Sequence, residues 1–331
     1  MDDLFDRVLL DPLAQMTARA MMERALEQFY AFTLVLVRMS GLMVIGPVFG
    51  QSIVPGNVRI FLVLTLSLLI TPALQDHSRV AFHRLDVDNN ARLVRAEVPS
   101  HLHERFAELE TRTGRLGGSG LTEREWLLPP KIPSSVLDYA WTGVGEFSLG
   151  VVLGLGVFII LSGLQLAGQL LDQQAGIALG EVFAPGLDIG GSVSGQLFYL
   201  LGVTIFLVME PVGGHLLMIS ALVETFQTLP VGEAFVSVSA IDYLRDLVHL
   251  SLVLAVQVAA PMLAIMSLVA LTMGFLGHTV PQINVLVVGF PIRALANMLI
   301  LLLTFSGAAR LVVDLVPTVI DNMRGILTTY G

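Results

Sequence analysis

The stretch FSLGVVLGLGVFIILSGLQLAGQLL, residues 147–171, decides the fold. It runs for 25 residues without a charged side chain. A helix needs about 20 apolar residues to cross a bilayer, so this stretch predicts a membrane-spanning helix. Working outward, similar stretches with one charge or none lie at residues 30–50, 60–75, 189–209, 247–292 and 294–309. The pattern predicts an all-α polytopic membrane protein of about six hydrophobic helical segments packed as hairpins, with a soluble helical insert.

The composition supports the same class of protein. Hydrophobic residues make up 54% of the chain, charged residues only 14%, and the mean hydropathy is +0.78. Soluble domains carry about 25% charged residues, so secreted, disordered and disulfide-rich soluble classes are excluded. There is no cysteine, which excludes disulfides and thiolate chemistry. The net charge of -9 offers no basic field for nucleic acid, so we expect no nucleic-acid partner.

Charge divides the chain into four parts. Residues 1–28 form an amphipathic N-terminal lead-in, and residues 29–75 form the first helical hairpin. Residues 76–135 form a polar insert that holds nine of the 18 basic and nine of the 27 acidic residues. Lys and Arg concentrate on the cytoplasmic side of membrane proteins, so we expect the insert to be cytoplasmic. Residues 136–331 carry the remaining membrane helices, including a Gly-rich segment at residues 173–194.

Short-range signals predict turns and caps in two of these parts. Within the insert, Thr122 and Glu125 have the spacing of a capping box and predict the start of a short helix. Gly277, Pro281 and Asn284 predict a turn inside the long apolar stretch 247–292.

Glycines recur at four-residue spacing in the membrane segments. Sixteen of the 31 glycines fall between Gly143 and Gly214. Small residues at this spacing let helices approach closely. The spacing alone leaves two interpretations open, which are packing within the chain and packing against partner helices. The pairs are Gly150/Gly154, Gly176/Gly180, Gly186/Gly190 and Gly191/Gly195.

Several charges interrupt the apolar segments. A charge at the bilayer centre costs at least about 2.5 kcal/mol, so such residues face protein or water. Arg38 and Arg293 can each pair with a carboxylate, and we favour structural pairing and placement near the ends of spans over a proton or ion relay. The charges are Arg38, Glu146, Asp172, Glu181, Glu210, Glu224 and Arg293. His101 and His103 lack a third ligand, and we expect no metal site, no cofactor and no catalytic residue.

Residues 173–194 read QQAGIALGEVFAPGLDIGGSVS. Five glycines, one proline and two acids do not suit a lipid-facing helix, because irregular backbone in a membrane must be buried or line a water-filled cavity. A flexible hairpin at a pore and a plain external loop are both consistent with this composition.

Five stretches, in order, resemble the family of the flagellar biosynthetic protein FliR and its injectisome counterparts. They are RMSGLMVIGPVFGQSIVPGNVR (38–59), GEF (145–147), AGQLLDQQAG (167–176), HLLMISALVETFQTLPVG (215–232), and PQIN with GFP (281–284 and 289–291). The residues that carry the resemblance are Arg38, Gly41, Pro47, Phe49, Gly50, Pro55, Arg59, Glu146, Gly150, Gly154, Gly168, Asp172, Gln174, His215, Phe226, Pro230, Pro281, Gln282, Asn284, Gly289, Phe290 and Pro291. The sequence departs from the family in its long insert and in the expanded turn before His215.

The resemblance implies a non-enzymatic subunit of the flagellar type III export gate in the bacterial inner membrane and flagellar basal body. It implies FliP-like and FliQ-like partner subunits, FlhB-like and FlhA-like export components, and unfolded flagellar proteins as the exported substrates. It also implies that the Gly-rich segment is a plug, with gating candidates Gly176, Gly180, Glu181, Pro185, Gly186, Asp188, Gly190 and Gly191. Two alternatives stay open: an injectisome gate, or a secondary transporter with Asp172, Glu181 and Glu210 as its ion path.

Overall fold

The architecture is helical almost throughout. The computed structural model describes residues 2–50, 54–114, 120–128, 130, 132–133, 135–175, 192–210, 212–280, 282 and 285–329. The long helices are α1 (Asp2–Ile45), α2 (Gly56–Leu85), α5 (Val136–Ala175), α8 (Val238–Thr279) and α9 (Val285–Thr329). Two shorter apolar helices, α6 (Val193–Val208) and α7 (Gly214–Thr228), lie between α5 and α8. The predicted all-α membrane fold is confirmed.

In the part of the chain that the structure describes, five helices contain segments long and apolar enough to cross a membrane. These segments are Ala25–Ile45, Gly56–Leu74, Val136–Gln174, Val238–Thr279 and Val287–Leu327. Helix α5, which contains the stretch quoted first, lies at the centre and packs against α1, α6, α8 and α9. The predicted segment 189–209 corresponds to α6, which is only 16 residues long.

Two of the apolar helices, α6 and α8, begin at serines that cap them. The Ser192 and Ser237 hydroxyls cap α6 and α8 by accepting from the N–H of Gly195 and Ala240 at 2.9 and 3.2 Å. Capping hydroxyls satisfy N–H groups that no helical carbonyl can reach. Helix α8 ends at Thr279 and α9 begins at Val285, where the turn between two hydrophobic segments was predicted.

The polar insert folds around a small hydrophobic core of its own. It contains β1 (Arg92–Leu93), a 3-10 turn (Ser100–Leu102), α3 (His103–Thr113), β2 (Leu121–Thr122) and α4 (Glu123–Trp126). The capping box predicted at Thr122 and Glu125 is present at the start of α4. Helix α2 continues past residue 76 to Leu85, so the first residues of the insert form the end of a membrane helix. The division into four parts stays a prediction.

Candidate functional site

We call the packed helices α1, α2 and α5 to α9 the helical body. Arg38 and Glu146 form a buried ion pair inside it. Both side chains are 0% exposed, and the Arg38 Nε donates to Glu146 Oε2 at 2.5 Å. Arg38 Nη1 also donates to the Thr225 hydroxyl at 3.0 Å, and both Nη atoms donate to the carbonyl of Leu229 at 3.2 and 3.1 Å. The pair therefore joins α1, α5 and the end of α7.

The second Glu146 oxygen is also bonded. The backbone N–H of Gly232 donates to Oε1 at 2.7 Å, and the Arg38 guanidinium carbon lies 3.9 Å from the centroid of the Phe226 ring. We call Arg38, Glu146, Thr225, Leu229 and Gly232 the polar junction. A buried pair so fully bonded fits a structural role, because a proton relay needs a member free to exchange its proton.

Glycines make the polar junction possible by bringing α1 and α5 into backbone contact. A Cβ on Gly150 would collide with the carbonyl oxygen of Arg38 and lie 2.9 Å from the amide nitrogen of Leu42. A Cβ on Gly41 would collide with the Phe147 carbonyl oxygen, and one on Gly154 would lie 3.2 Å from the Gly46 nitrogen. The pair Gly150/Gly154 thus serves packing within the chain, as small residues do between membrane helices.

Asp172 ties the end of α5 to the start of α6. Its carboxylate accepts from the Ser192 hydroxyl at 2.6 Å, from the Ser194 N–H at 2.9 Å and from the Ser194 hydroxyl. We call Asp172, Ser192 and Ser194 the aspartate clamp. One turn earlier, Gly168 packs directly on the backbone of Gly195. The clamp therefore holds together the two segments that flank residues 176–191.

Other residues that carry the resemblance lie in turns. Pro47, Phe49 and Gly50 occupy the turn after α1, where the Pro47 carbonyl accepts from the Tyr199 hydroxyl at 3.0 Å. The Pro55 carbonyl accepts from the Arg59 N–H at 3.2 Å in the first turn of α2.

His215 is half-buried in the first turn of α7, and its buried Nδ1 has no hydrogen-bond partner within the described ranges. Gly213, at φ +81°, makes the expanded turn that precedes it. The positive φ shows why glycine occupies this position.

The last stretch of the resemblance lies apart from the polar junction. Gln174 and Gln282 are exposed, Gly289 is buried in the first turns of α9, and the neighbouring Phe290 and Pro291 are exposed there. The structure does not bring Gln282, Phe290 or Pro291 into the core. Pro281, Asn284 and all the predicted gating residues, Gly176, Gly180, Glu181, Pro185, Gly186, Asp188, Gly190 and Gly191, lie outside the described residues.

The remaining membrane charges behave differently from the polar junction. Glu224 binds Arg324 at 2.6 Å, with side chains 33% and 44% exposed, and Glu210 is exposed in the turn after α6. Arg38 has the carboxylate partner that its sequence context predicts. Arg293 forms no ion pair with any carboxylate that the structure describes, so that pairing is wrong for the described part of the chain.

A cavity of about 130 Å³ lies between the helical body and the insert, and sequence reasoning missed it. Phe226, Pro230 and Arg105 are among its lining residues. Burial lowers the pKa of Arg105, while the negative charges of Glu233 and Glu108 oppose this lowering of its pKa. The Arg105 Nη2 donates to the Trp126 carbonyl at 3.4 Å. The burial of the Arg105 guanidinium could not be predicted from the sequence, because Arg105 lies in a polar stretch whose side chains are ordinarily exposed.

Fold and site together define a polytopic membrane protein whose hairpins are joined by glycine contacts and a buried ion pair. The family model of the bacterial export proteins, family 1, matches residues 29–319, and the chain belongs to that family. It is 28% identical over 206 residues to the flagellar biosynthetic protein FliR of Bacillus subtilis, covering 61% of this chain and 78% of that protein. It is also 31% identical over 160 residues to the Yop proteins translocation protein T of Yersinia pestis, covering 47% and 60%.

Proposed function

We propose that this chain is a structural subunit of the flagellar type III protein export gate. With FliP-like and FliQ-like subunits it forms a channel that passes unfolded flagellar proteins across the bacterial inner membrane, and FlhB-like and FlhA-like components work beside it. The observation that carries the proposal is the family match over residues 29–319, which covers nearly all of the helical body. The match to the FliR of Bacillus subtilis covers 61% of this chain, against 47% for the match to the Yersinia pestis protein.

The helix lengths support a subunit that is surrounded by other subunits. The 42 residues of α8 span about 63 Å along the helix, against a hydrocarbon core of about 30 Å. Much of this apolar length therefore lies outside the span of one bilayer, and only 10 of the 42 residues of α8 are buried within the chain. We expect partner helices to cover the remaining apolar surface of α8, because exposed apolar surface of this extent marks an interface.

In this proposal, residues 173–194 act as the plug of the channel. The aspartate clamp supports this assignment by holding Asp172 against Ser192 and Ser194, on either side of the Gly-rich stretch. With the two ends anchored, opening is confined to residues between them, where glycines permit backbone rearrangement at low cost.

Export is tested in a strain that lacks this gene. The wild-type gene should restore secretion of the flagellar filament protein, measured in the culture supernatant. Failure to restore secretion, with the protein present in the membrane, would contradict an export role. Deleting residues 176–191 should raise ion leakage across the inner membrane, and unchanged conductance would refute the plug assignment alone.

The injectisome gate is the second candidate, favoured by the 31% identity to the Yersinia protein. The same strain separates the two machines. Loss of flagellar proteins from the supernatant supports the flagellar gate, whereas loss of virulence effectors with normal motility supports the injectisome. Substrate uptake by the purified chain alone in liposomes would instead support a secondary transporter.

A further inference from the structure

Three carboxylates lie together where the insert leaves α2. One oxygen from each of Asp86, Asp88 and Glu97 lies within 4.8 Å of the other two. Asp86 is only 5% exposed, and no basic side chain in the described part of the chain forms an ion pair with any of the three. The two Asp86 oxygens accept from the backbone N–H groups of Asn90 and Ala91 at 3.1 and 2.9 Å. Three carboxylates this close still repel one another unless a cation lies between them, so this group points to a bound metal ion.

The spacing of the oxygen-bearing residues identifies the ion. Residues 86–97 read DVDNNARLVRAE, with Asp or Asn at positions 1, 3 and 5 and Glu at position 12. This is the pattern of the twelve-residue calcium loop, in which these side chains and the carbonyl of position 7 surround Ca²⁺. The residues are Asp86, Asp88, Asn90 and Glu97, with the Arg92 carbonyl at position 7.

Position 6 of such a loop is normally glycine, because the backbone turns sharply there. Here the residue is Ala91, and its φ is +59°. Asn89, two residues earlier, also has a positive φ, +52°. The chain therefore makes the turn that the calcium loop requires even though a Cβ is present, a conformation that normally favours glycine.

The second half of the insert repeats the arrangement of leucine and glutamate found in residues 86–97. Leu93, at position 8, pairs with Leu121 in the two-stranded sheet. Four residues beyond each leucine lies a glutamate, Glu97 or Glu125, that accepts from the backbone N–H three residues earlier, at 3.0 and 2.8 Å. In the second half, the positions equivalent to 86, 88 and 90 are Gly114, Leu116 and Gly118. These side chains offer no oxygen, so the repeat provides one site.

The loop stands on the core of the insert. Leu93 and Leu121 are fully buried with Phe82 of α2, Phe106 of α3 and Trp126 of α4. An ion held by position 1, at the end of α2, and by position 12, next to the core residue Val98, would tie α2 to the rest of the insert.

We propose that residues 86–97 bind one Ca²⁺ ion and thereby fix the insert to the end of α2. The proposal replaces the sequence-based expectation that the chain holds no metal, and it does not depend on the export function. Ca²⁺ is favoured over Mg²⁺, because the loop offers six or more oxygens in a flexible ring, whereas Mg²⁺ demands a strict octahedron and retains its water.

The test is calorimetric titration of the full chain, in detergent and freed of metal by chelator, with CaCl₂. One Ca²⁺ should bind per chain, and MgCl₂ should bind more weakly. Tb³⁺ bound in the loop should emit when the nearby tryptophan is excited, and Ca²⁺ should quench this emission by displacement. Glu97→Gln and Asp88→Asn should each weaken Ca²⁺ binding by at least about tenfold, because each removes a charged ligand.

The matched control is Glu108→Gln, which removes an equal charge from an exposed position on α3, outside the loop. Its affinity for Ca²⁺ should equal that of the wild type. Equal weakening by Glu108→Gln, or no binding by the wild type at about 1 mM Ca²⁺, would overturn the proposal. If Glu97→Gln fails to fold, as judged by tryptophan emission, Asp88→Asn decides, because Asp88 is exposed.

Discussion

Replacing Glu146 by Gln tests whether the polar junction holds the helical body together. The substitution preserves the shape of the side chain and an acceptor for the Gly232 N–H, so the change is confined to the charge facing Arg38. Removing one member of a buried ion pair typically costs about 3–5 kcal/mol, because the other charge is left without a partner. We expect Glu146→Gln to lower the free energy of unfolding by about this amount.

The assay is unfolding in mixed detergent and SDS micelles, followed by circular dichroism. Glu224→Gln is the matched control, because its partner Arg324 is 44% exposed and Glu224 itself 33% exposed. Exposed pairs contribute about 0–1 kcal/mol. In a double-mutant cycle, Arg38→Met combined with Glu146→Gln should cost less than the sum of the single changes by more than about 1 kcal/mol.

Two results would refute this reasoning. One is a loss for Glu146→Gln no larger than that of Glu224→Gln. The other is strict additivity in the cycle, which would mean that Arg38 and Glu146 stabilise the fold independently.

The remaining predictions concern packing, the aspartate clamp and the insert. Gly150→Ala should destabilise the chain by about 1–3 kcal/mol in the same assay because of its clash with α1, whereas Gly143→Ala, with nothing within 4 Å, should not; equal losses would contradict the packing account. Asp172→Asn should increase ion leakage in vesicles reconstituted with the complex of this chain and its FliP-like and FliQ-like partners, because it weakens the clamp; an unchanged leak would argue against a role of the clamp in closing the channel. Arg105→Met should leave the stability of the insert unchanged or raise it at neutral pH. The folded-state pKa of Arg105 is lowered, so its charged form opposes folding at every pH below that pKa, and a large loss on calorimetric melting would contradict this.

Much of the fold could be predicted from the sequence, because a bilayer requires long apolar segments whose backbone bonds are satisfied internally. The turn between α8 and α9 and the start of α4 followed from local signals alone, glycine and proline in one case and a capping box in the other. The short length of α6 was not predicted, since an uncharged stretch does not reveal where its helix begins.

The candidate site was only partly predictable. Arg38 and Glu146 stood out as charges in apolar stretches, yet 108 residues separate them, and only the packing of α5 on α1 shows that they meet. The partners of Asp172 are small serines that carry no signal of their own. The calcium-loop pattern was legible in the sequence, but Ala91 replaces the glycine that normally marks it, and the carboxylates are diluted among the many charges of the insert.

The central claim is that this chain is a subunit of an export gate. Native mass spectrometry of the detergent-solubilised chain, co-expressed with the FliP-like and FliQ-like proteins of its source, tests it most directly. The account predicts a mixed complex that contains a single copy of this chain. A stable monomer or homodimer that binds neither partner would contradict it.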